Sequence, residues 1–409
     1  MNPAPAPVAF AASPPPSSPR LASLDVYRGF VMFLMMAEVL RLSRVARALP
    51  ESGFWKWLAW HQSHVEWVGC SLHDLIQPSF SFLVGVALPF SIASRRARGQ
   101  SAWALSGHAF TRAVALVLLG VFLRSTGASA TGTNWTFEDT LSQIGLGYGF
   151  LFLLGFRPLR DQVIALVAIL VGYWALFAAQ PLPSASFEYA QVGVPKAWLE
   201  SHGLSGFAAH WQKNSQPAWS FDTWFLNLFS REKAFLFNRG GYATLSFIPT
   251  LGTMIIGLIV GHRLRSARPP LAKIQELLIA GVAALAIGWA LSLLGVAPVV
   301  KRIWTSSWVL VSGGWCCLFL AAFYFLVDVR CLSRWAWPLK VIGMNSIAAY
   351  LIAHLFEGFI AKALTTHLGT SAFRSFGPAY EPLLHGAATL AVMWLLLVWM
   401  DRRKLFLRI

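Results

Sequence analysis

Residues 64–85 read HVEWVGCSLHDLIQPSFSFLVG. The stretch starts as a polar, aromatic loop with two histidines and a glutamate. It then turns into an apolar run that holds Asp74 and Gln77 at its start. From Ile76 onward the run continues with almost no charge as far as Arg95, which is long enough to cross a bilayer as a helix. An aspartate at the mouth of such a run is costly unless it faces a polar interior and meets a cation or a proton. The stretch therefore makes two statements, that the chain enters a membrane here and that something polar is built at the point of entry.

The rest of the chain repeats the first statement. Of 409 residues, 56% are hydrophobic and 12% charged, against about 25% charged in soluble domains. The apolar residues fall into about ten runs, each near the ~20 residues a membrane helix needs. They are 24–41, 71–94, 106–125, 140–157, 162–180, 244–263, 274–296, 306–328, 338–360 and 383–401. The expected fold is an all-α polytopic membrane protein. Residues 1–20, rich in Pro, Ala and Ser, read as a disordered tail. Residues 21–409 read as one transmembrane domain carrying a long connection over 181–243, longer than a turn and expected to hold small elements.

The net charge of +16 does not point to nucleic acid, because Lys and Arg cluster at the ends of apolar runs. Arg95, Arg96 and Arg98, then Arg157 and Arg160, then Arg263, Arg265 and Arg268 fall on alternate connections. This gives an N-in, C-in chain, although Arg41, Arg44, Arg47 and Lys56 argue the other way. The 19 Trp fit an interfacial belt. Cys70, Cys316, Cys317 and Cys331 form no zinc or redox spacing, so no metal site is expected.

The N-in topology gathers polar residues at one level. Glu38, the 61–67 loop, Asp74, Gln143, Lys301, Trp304, His354 and Glu357 all fall toward the outer side. Asp74, Gln77, Ser81 and Gly85 share one helical stripe, and Ser346, Tyr350, His354 and Glu357 another. A histidine near a carboxylate is the base-and-orienter arrangement of acyl transfer. In that role His64 is the base or nucleophile and Asp74 fixes its tautomer. Pro78 and Pro89 are expected to kink their helix. The same carboxylates and His354 also suit a proton relay, so a proton-coupled transporter is the rival reading.

Several stretches resemble the heparan-α-glucosaminide N-acetyltransferase family and its bacterial relatives. They are RLASLDVYRGFVMFLMMAE at 20–38, residues 64–91, DTLSQIGLGYGFLFL at 139–153, VVKRIWTSSWVLVSGG at 299–314 and GMNSIAAYLIAHLFE at 343–357. The resemblance implies a multispanning acyltransferase that moves an acetyl group from cytosolic acetyl-CoA to a saccharide amine or hydroxyl on the far side. It implies a bacterial inner-membrane location with the site facing outward. The family's catalytic histidine, before Trp-x-Gly, matches His64, and the aspartate opening the next helix matches Asp74. Glu38 falls near the place where the family carries an asparagine. On this reading Gln143, Lys301 and Asn345 hold the sugar or an oxyanion, together with His354 and Glu357, while Trp67 and Trp304 stack on a sugar face. Arg28, Arg95, Arg96, Arg263 and Arg265 are the candidates for the donor's phosphates. The expected partners are acetyl-CoA, a saccharide acceptor and membrane lipid, without nucleic acid, and a homodimer is admitted.

Overall fold

The computed structural model describes residues 21–126 and 132–407. The expected tail at 1–20 lies outside the described residues. Among the described residues fifteen α-helices run in order: α1 Ala22–Met36, α2 Leu42–Ala48, α3 Gly53–His61, α4 Ile76–Ala97, α5 Ala102–Arg124, α6 Thr140–Leu154, α7 Leu159–Ala179, α8 Lys196–His202, α9 Pro217–Phe225, α10 Phe247–Arg265, α11 Pro270–Leu293, α12 Ser306–Phe323, α13 Trp337–Met344, α14 Ser346–Leu368 and α15 Glu381–Arg402. Among the described residues the only β pairing is an isolated antiparallel bridge between Val68 and Val300.

Eight of the helical segments among the described residues are long and apolar enough to span a membrane. Two of the ten expected runs fall short of that. α6 has 15 residues, and α1 also has 15 before it tightens into a 3-10 turn at Ala37–Leu40. A third run differs in kind. Residues 338–360 do not form one helix, because Asn345 leaves helical geometry (φ −128°, ψ 41°) between α13 and α14. Its side chain explains the break. The amide donates to Leu405 O at 2.9 Å and its oxygen accepts from Leu407 N at 3.0 Å, so Asn345 ties the end of the chain into the gap. These bonds give the Leu405 and Leu407 backbone groups partners that no helix supplies there.

α10 sits at the centre, with 72% of its apolar window buried, whereas α7, α11 and α14 bury only 17% and turn their side chains to lipid. α4 and α10 pack backbone to backbone. A Cβ on Gly85 would lie 1.9 Å from Met254 O, and one on Gly257 would lie 2.0 Å from Phe82 O. Only glycine admits that approach, the small-residue mode of membrane helix packing. Pro78 falls in the first turn of α4 and Pro89 in its interior, and α4 continues through both as one helix to Ala97. At the start of the bundle, Asp328 accepts from Ala22 N and Ser23 N at 3.0 and 3.2 Å. A carboxylate thus satisfies the free N–H groups that open α1.

The 181–243 connection carries α8, α9 and three short 3-10 turns. It docks through stacked Phe177 and Trp211, with ring centroids 6.2 Å apart, and through Asp222, which accepts from Thr244 N at 2.9 Å. Burial raises the Asp222 pKa to about 7, with the Thr244 bonds opposing and Glu138 adding. The folded value exceeds the ordinary carboxylate value of 3.8. The protonated acid therefore stabilises the fold in full below about 4, and that contribution is lost as pH rises through about 7. Asn at this position keeps an accepting oxygen and cannot ionise. Asp222→Asn is expected to match wild type in thermal unfolding near pH 4 and to exceed it by on the order of 2–4 kcal/mol at pH 8. Parallel melting curves at the two pH values would contradict this reading.

Candidate functional site

The site is built on the connection between α3 and α4, which bonding at both ends holds in place. Gln62 donates to Ala37 O at 2.6 Å and accepts from Leu42 N at 2.8 Å. Gly69 N donates to Val299 O at 2.9 Å beside the Val68–Val300 bridge, with Gly69 at φ 137°. Arg302 reaches from the facing loop to Gly240 O at 2.9 Å and to Val65 O at 3.4 Å. Two distant loops, 62–72 and 294–305, are thereby clamped together, and they bring His64 and Lys301 to the same point.

That point is Asp74, of which 1% is exposed. Its Oδ2 accepts from Val65 N at 3.2 Å, Ser71 N at 3.1 Å and Ser71 Oγ at 3.0 Å. Its Oδ1 faces His64 Nδ1 at 2.8 Å and Lys301 Nζ at 3.4 Å. Lys301 Nζ also lies 3.0 Å from His64 Nδ1. One ring nitrogen has a single in-plane position, so Nδ1 either donates to Asp74 or accepts from Lys301. With Asp74 ionised, Nδ1–H donates to Oδ1 and the Nε2 lone pair is left to act. Lys301 supplies the countercharge that makes a buried carboxylate tolerable.

The His64 ring is 38% exposed and faces a cavity. Burial by the surrounding loops lowers its pKa below 6.5; the Asp74 bond opposes this and the Lys301 charge adds to it. His64 is thus neutral at ordinary pH. Lys301 is also held below the usual lysine value by burial, with Asp74 opposing. His73 packs its ring 4.5 Å from that of His64 and meets Glu38 at 3.1 Å.

The cavity measures about 420 Å³, and its walls include Glu38, His64, His73, Lys301, His354 and Glu357 as well as Arg124, Glu138, Asp139 and Tyr242. A second cavity of about 440 Å³ lies farther along α4 and ends among Arg28, Arg95, His108 and Arg112. Phe80, Thr140 and Tyr350 line both, so the cavities adjoin at these three residues. Their lining runs along α4 from Ile76 to Arg95. The nineteen steps from Ile76 to Arg95 at ~1.5 Å each make ~28 Å, close to the ~30 Å of a bilayer's hydrocarbon core. α1, α5 and α14 show the same polarity: Arg28 is at the far end and Glu38 at the near, Arg112 far and Arg124 near, Ile347 far and His354 near. Two adjoining cavities therefore run along the bundle, the far one lined mostly by apolar side chains, with the His64–Asp74–Lys301 cluster at one end and a cluster of cations at the other.

No family model matches the chain. Among curated proteins it is similar to heparan-alpha-glucosaminide N-acetyltransferase of Homo sapiens, 24% identical over 382 residues. That match covers 83% of this chain and 54% of the relative. The Mus musculus protein of the same name is 21% identical over 381 residues, covering 84% and 54%. The chain is related to these acetyltransferases. It spans about half the length of the curated relatives it matches.

Within that relationship, the residues singled out from sequence divide into three groups. His64, Asp74, Lys301, Glu38, His354 and Glu357 come together at the near mouth, although Asp74 acts from behind His64 rather than lining the space. Arg28 and Arg95 line the far cavity. Arg28 meets Asp25 at 3.1 Å, and Arg95 bonds His108 at 2.6 Å. The remaining residues are placed elsewhere. Trp67 is 1% exposed and donates to Trp211 O at 3.1 Å; Trp304 is 2% exposed and donates to Thr253 Oγ1 at 3.1 Å. Neither presents a face to the cavity. Gln143 is spent on the Phe137, Ala243 and Thr244 carbonyls, and Asn345 on the chain end. Arg96 and Arg265 border a different cleft, and Arg263 is exposed. Sequence reasoning passed over Glu138 and Asp139, whose adjacent acids just before an apolar run carry the same signal that drew attention to Asp74.

Proposed function

We propose that this chain is a membrane acetyltransferase that takes the acetyl group of acetyl-CoA at its Arg95 end and delivers it to a saccharide amine or hydroxyl at its His64 end. The observation that carries the reading is the pair of cavities meeting along α4. Acetyl-CoA is too anionic to cross a bilayer whole. Its phosphates suit the Arg28, Arg95 and Arg112 end, and its slender pantetheine arm suits a path bounded by Phe80, Thr140 and Tyr350. The acceptor stays in the polar mouth. With positive charge on the inner side, the Arg95 end faces the cytosol and the His64 end faces outward.

At the mouth, Asp74 holds Nδ1–H and directs Nε2 into the cavity. Nε2 takes the proton of the acceptor's amine or hydroxyl as that group attacks the thioester carbonyl and the coenzyme thiolate leaves. In the covalent variant Nε2 itself attacks, and acetyl-imidazole passes its acetyl group to the acceptor. Lys301 and Arg124 offer positive charge to the developing oxyanion.

The test is acetyl-CoA turnover by purified protein against a panel of amino sugars, together with donor binding. Arg95→Gln is expected to raise the KM for acetyl-CoA by roughly 10- to 100-fold with kcat little changed, because a charged hydrogen bond remote from the reacting atoms is lost. Absence of both donor binding and turnover would overturn the reading. Saccharide accumulation in proteoliposomes without acetyl-CoA would support the transporter instead.

A further inference from the structure

A third cavity, of about 410 Å³, opens at the Arg95 end of the bundle but on the other side of α4 from the donor path. Three elements build it: the last turns of α4, the α6–α7 turn at 155–158 and the last turn of α10. Its floor is Pro89, Ile92 and Ala93, and its rim is Arg96, Arg157, His262 and Arg265. No carboxylate lines it, and none of the three arginines, nor His262, has a salt bridge among the described residues. Arg96 lies 4.9 Å from the centre of the Phe156 ring, and Arg265 lies 6.0 Å from that of Phe90, so aromatic rings rather than acids hold the guanidinium groups. His262 Nε2 is buried and lacks a hydrogen-bond partner among the described residues. The 21-residue α7 begins just beyond Pro158, which lines the cleft, so the positive end of its helix dipole lies beside it.

The surface beside the rim is apolar. Phe150, Leu153, Phe156, Val163, Ile164 and Val167 of the α6–α7 pair are exposed, as lipid-facing side chains are. A cationic rim above an apolar wall at the end of membrane helices matches a phosphodiester headgroup with its acyl chains alongside. We infer that the Arg96–Arg157–His262–Arg265 cleft binds the phosphate of an anionic phospholipid. Cations that merely set topology need not converge on one cavity, and Arg96, Arg157 and Arg265 do so from three elements.

The test compares adducts of phosphatidylglycerol and phosphatidylcholine on the full-length protein in detergent by native mass spectrometry. The Arg96→Gln/Arg265→Gln double variant is compared with Arg330→Gln/Arg334→Gln, which removes the same charge outside the cleft. Arg157→Gln serves as a milder cleft variant, and melting curves establish that each protein is folded. Expected is a phosphatidylglycerol preference that falls roughly 10- to 30-fold in the cleft double variant and survives in the control pair. Equal losses in both, or no preference for the anionic lipid, would overturn the inference. So would competition by inorganic phosphate with no lipid adduct, which assigns the cleft to a free anion. Loss of acetyl-CoA binding with the lipid adduct intact would assign it to the donor.

Discussion

His64→Ala is expected to lower acetyl transfer by about 10²–10⁴-fold if the imidazole is a base, and to abolish it if the imidazole carries the acetyl group. The ring stands at the edge of a cavity, 38% exposed, and contributes little packing, so the variant should melt near wild type. Two readouts separate the mechanisms. Incubation with acetyl-CoA without acceptor leaves an acetyl adduct on wild type only in the covalent route. Added imidazole enters the vacated space and restores part of the rate in the base route. Turnover within about fivefold of wild type would remove His64 from the chemistry.

Asp74→Asn has the second large effect, and it is twofold. The carboxylate accepts from Val65 N, Ser71 N and Ser71 Oγ on one oxygen, and it faces His64 and Lys301 with the other. An amide has one accepting oxygen, so it satisfies the loop or His64 and turns a donor against the other. Activity is expected to fall about 10²–10⁴-fold through loss of the His64 tautomer and orientation. Stability is expected to fall by about 3–5 kcal/mol, because Lys301, 7% exposed, is left without its counterion. The Asp74→Asn/Lys301→Met double variant separates the two effects, since it should regain much of the stability and none of the activity. Lys301→Met alone tests the electrostatics. Activity needs neutral His64, so the rate falls on the acid side of an imidazole pKa below 6.5. Removing the nearby cation raises that pKa and moves the acid limb to higher pH; an unmoved limb would mean that Lys301 does not act on His64.

Much of this was legible in the residue order. Apolar runs bounded by arginine announce membrane helices because lipid offers backbone groups no partner but the helix itself. Asp74 at the mouth of one such run, ten residues after His64, announced a polar site for the same reason. What the order could not carry was which costly residues share a cavity. Gln143, Trp67 and Trp304 look as unusual in sequence as His354, yet they are consumed by local hydrogen bonds and packing, while His354 faces open space. The break at Asn345 escaped notice because its cause, the chain end at Leu405–Leu407, lies about 60 residues away.

By itself, then, the sequence determined the membrane helices, their approximate limits and the pairing of a histidine with an aspartate on one short loop. The helices follow from composition and local spacing, whereas the pairing was only suggested by spacing and drew its weight from the family resemblance. Tertiary structure alone decided that Lys301 joins that pair and that two cavities meet at Phe80, Thr140 and Tyr350. It alone put Arg95 and Arg96, neighbours in sequence, at two different clefts. Successive residues on a helix point about 100° apart, so which one meets which cavity is fixed only by the helices packed on either side.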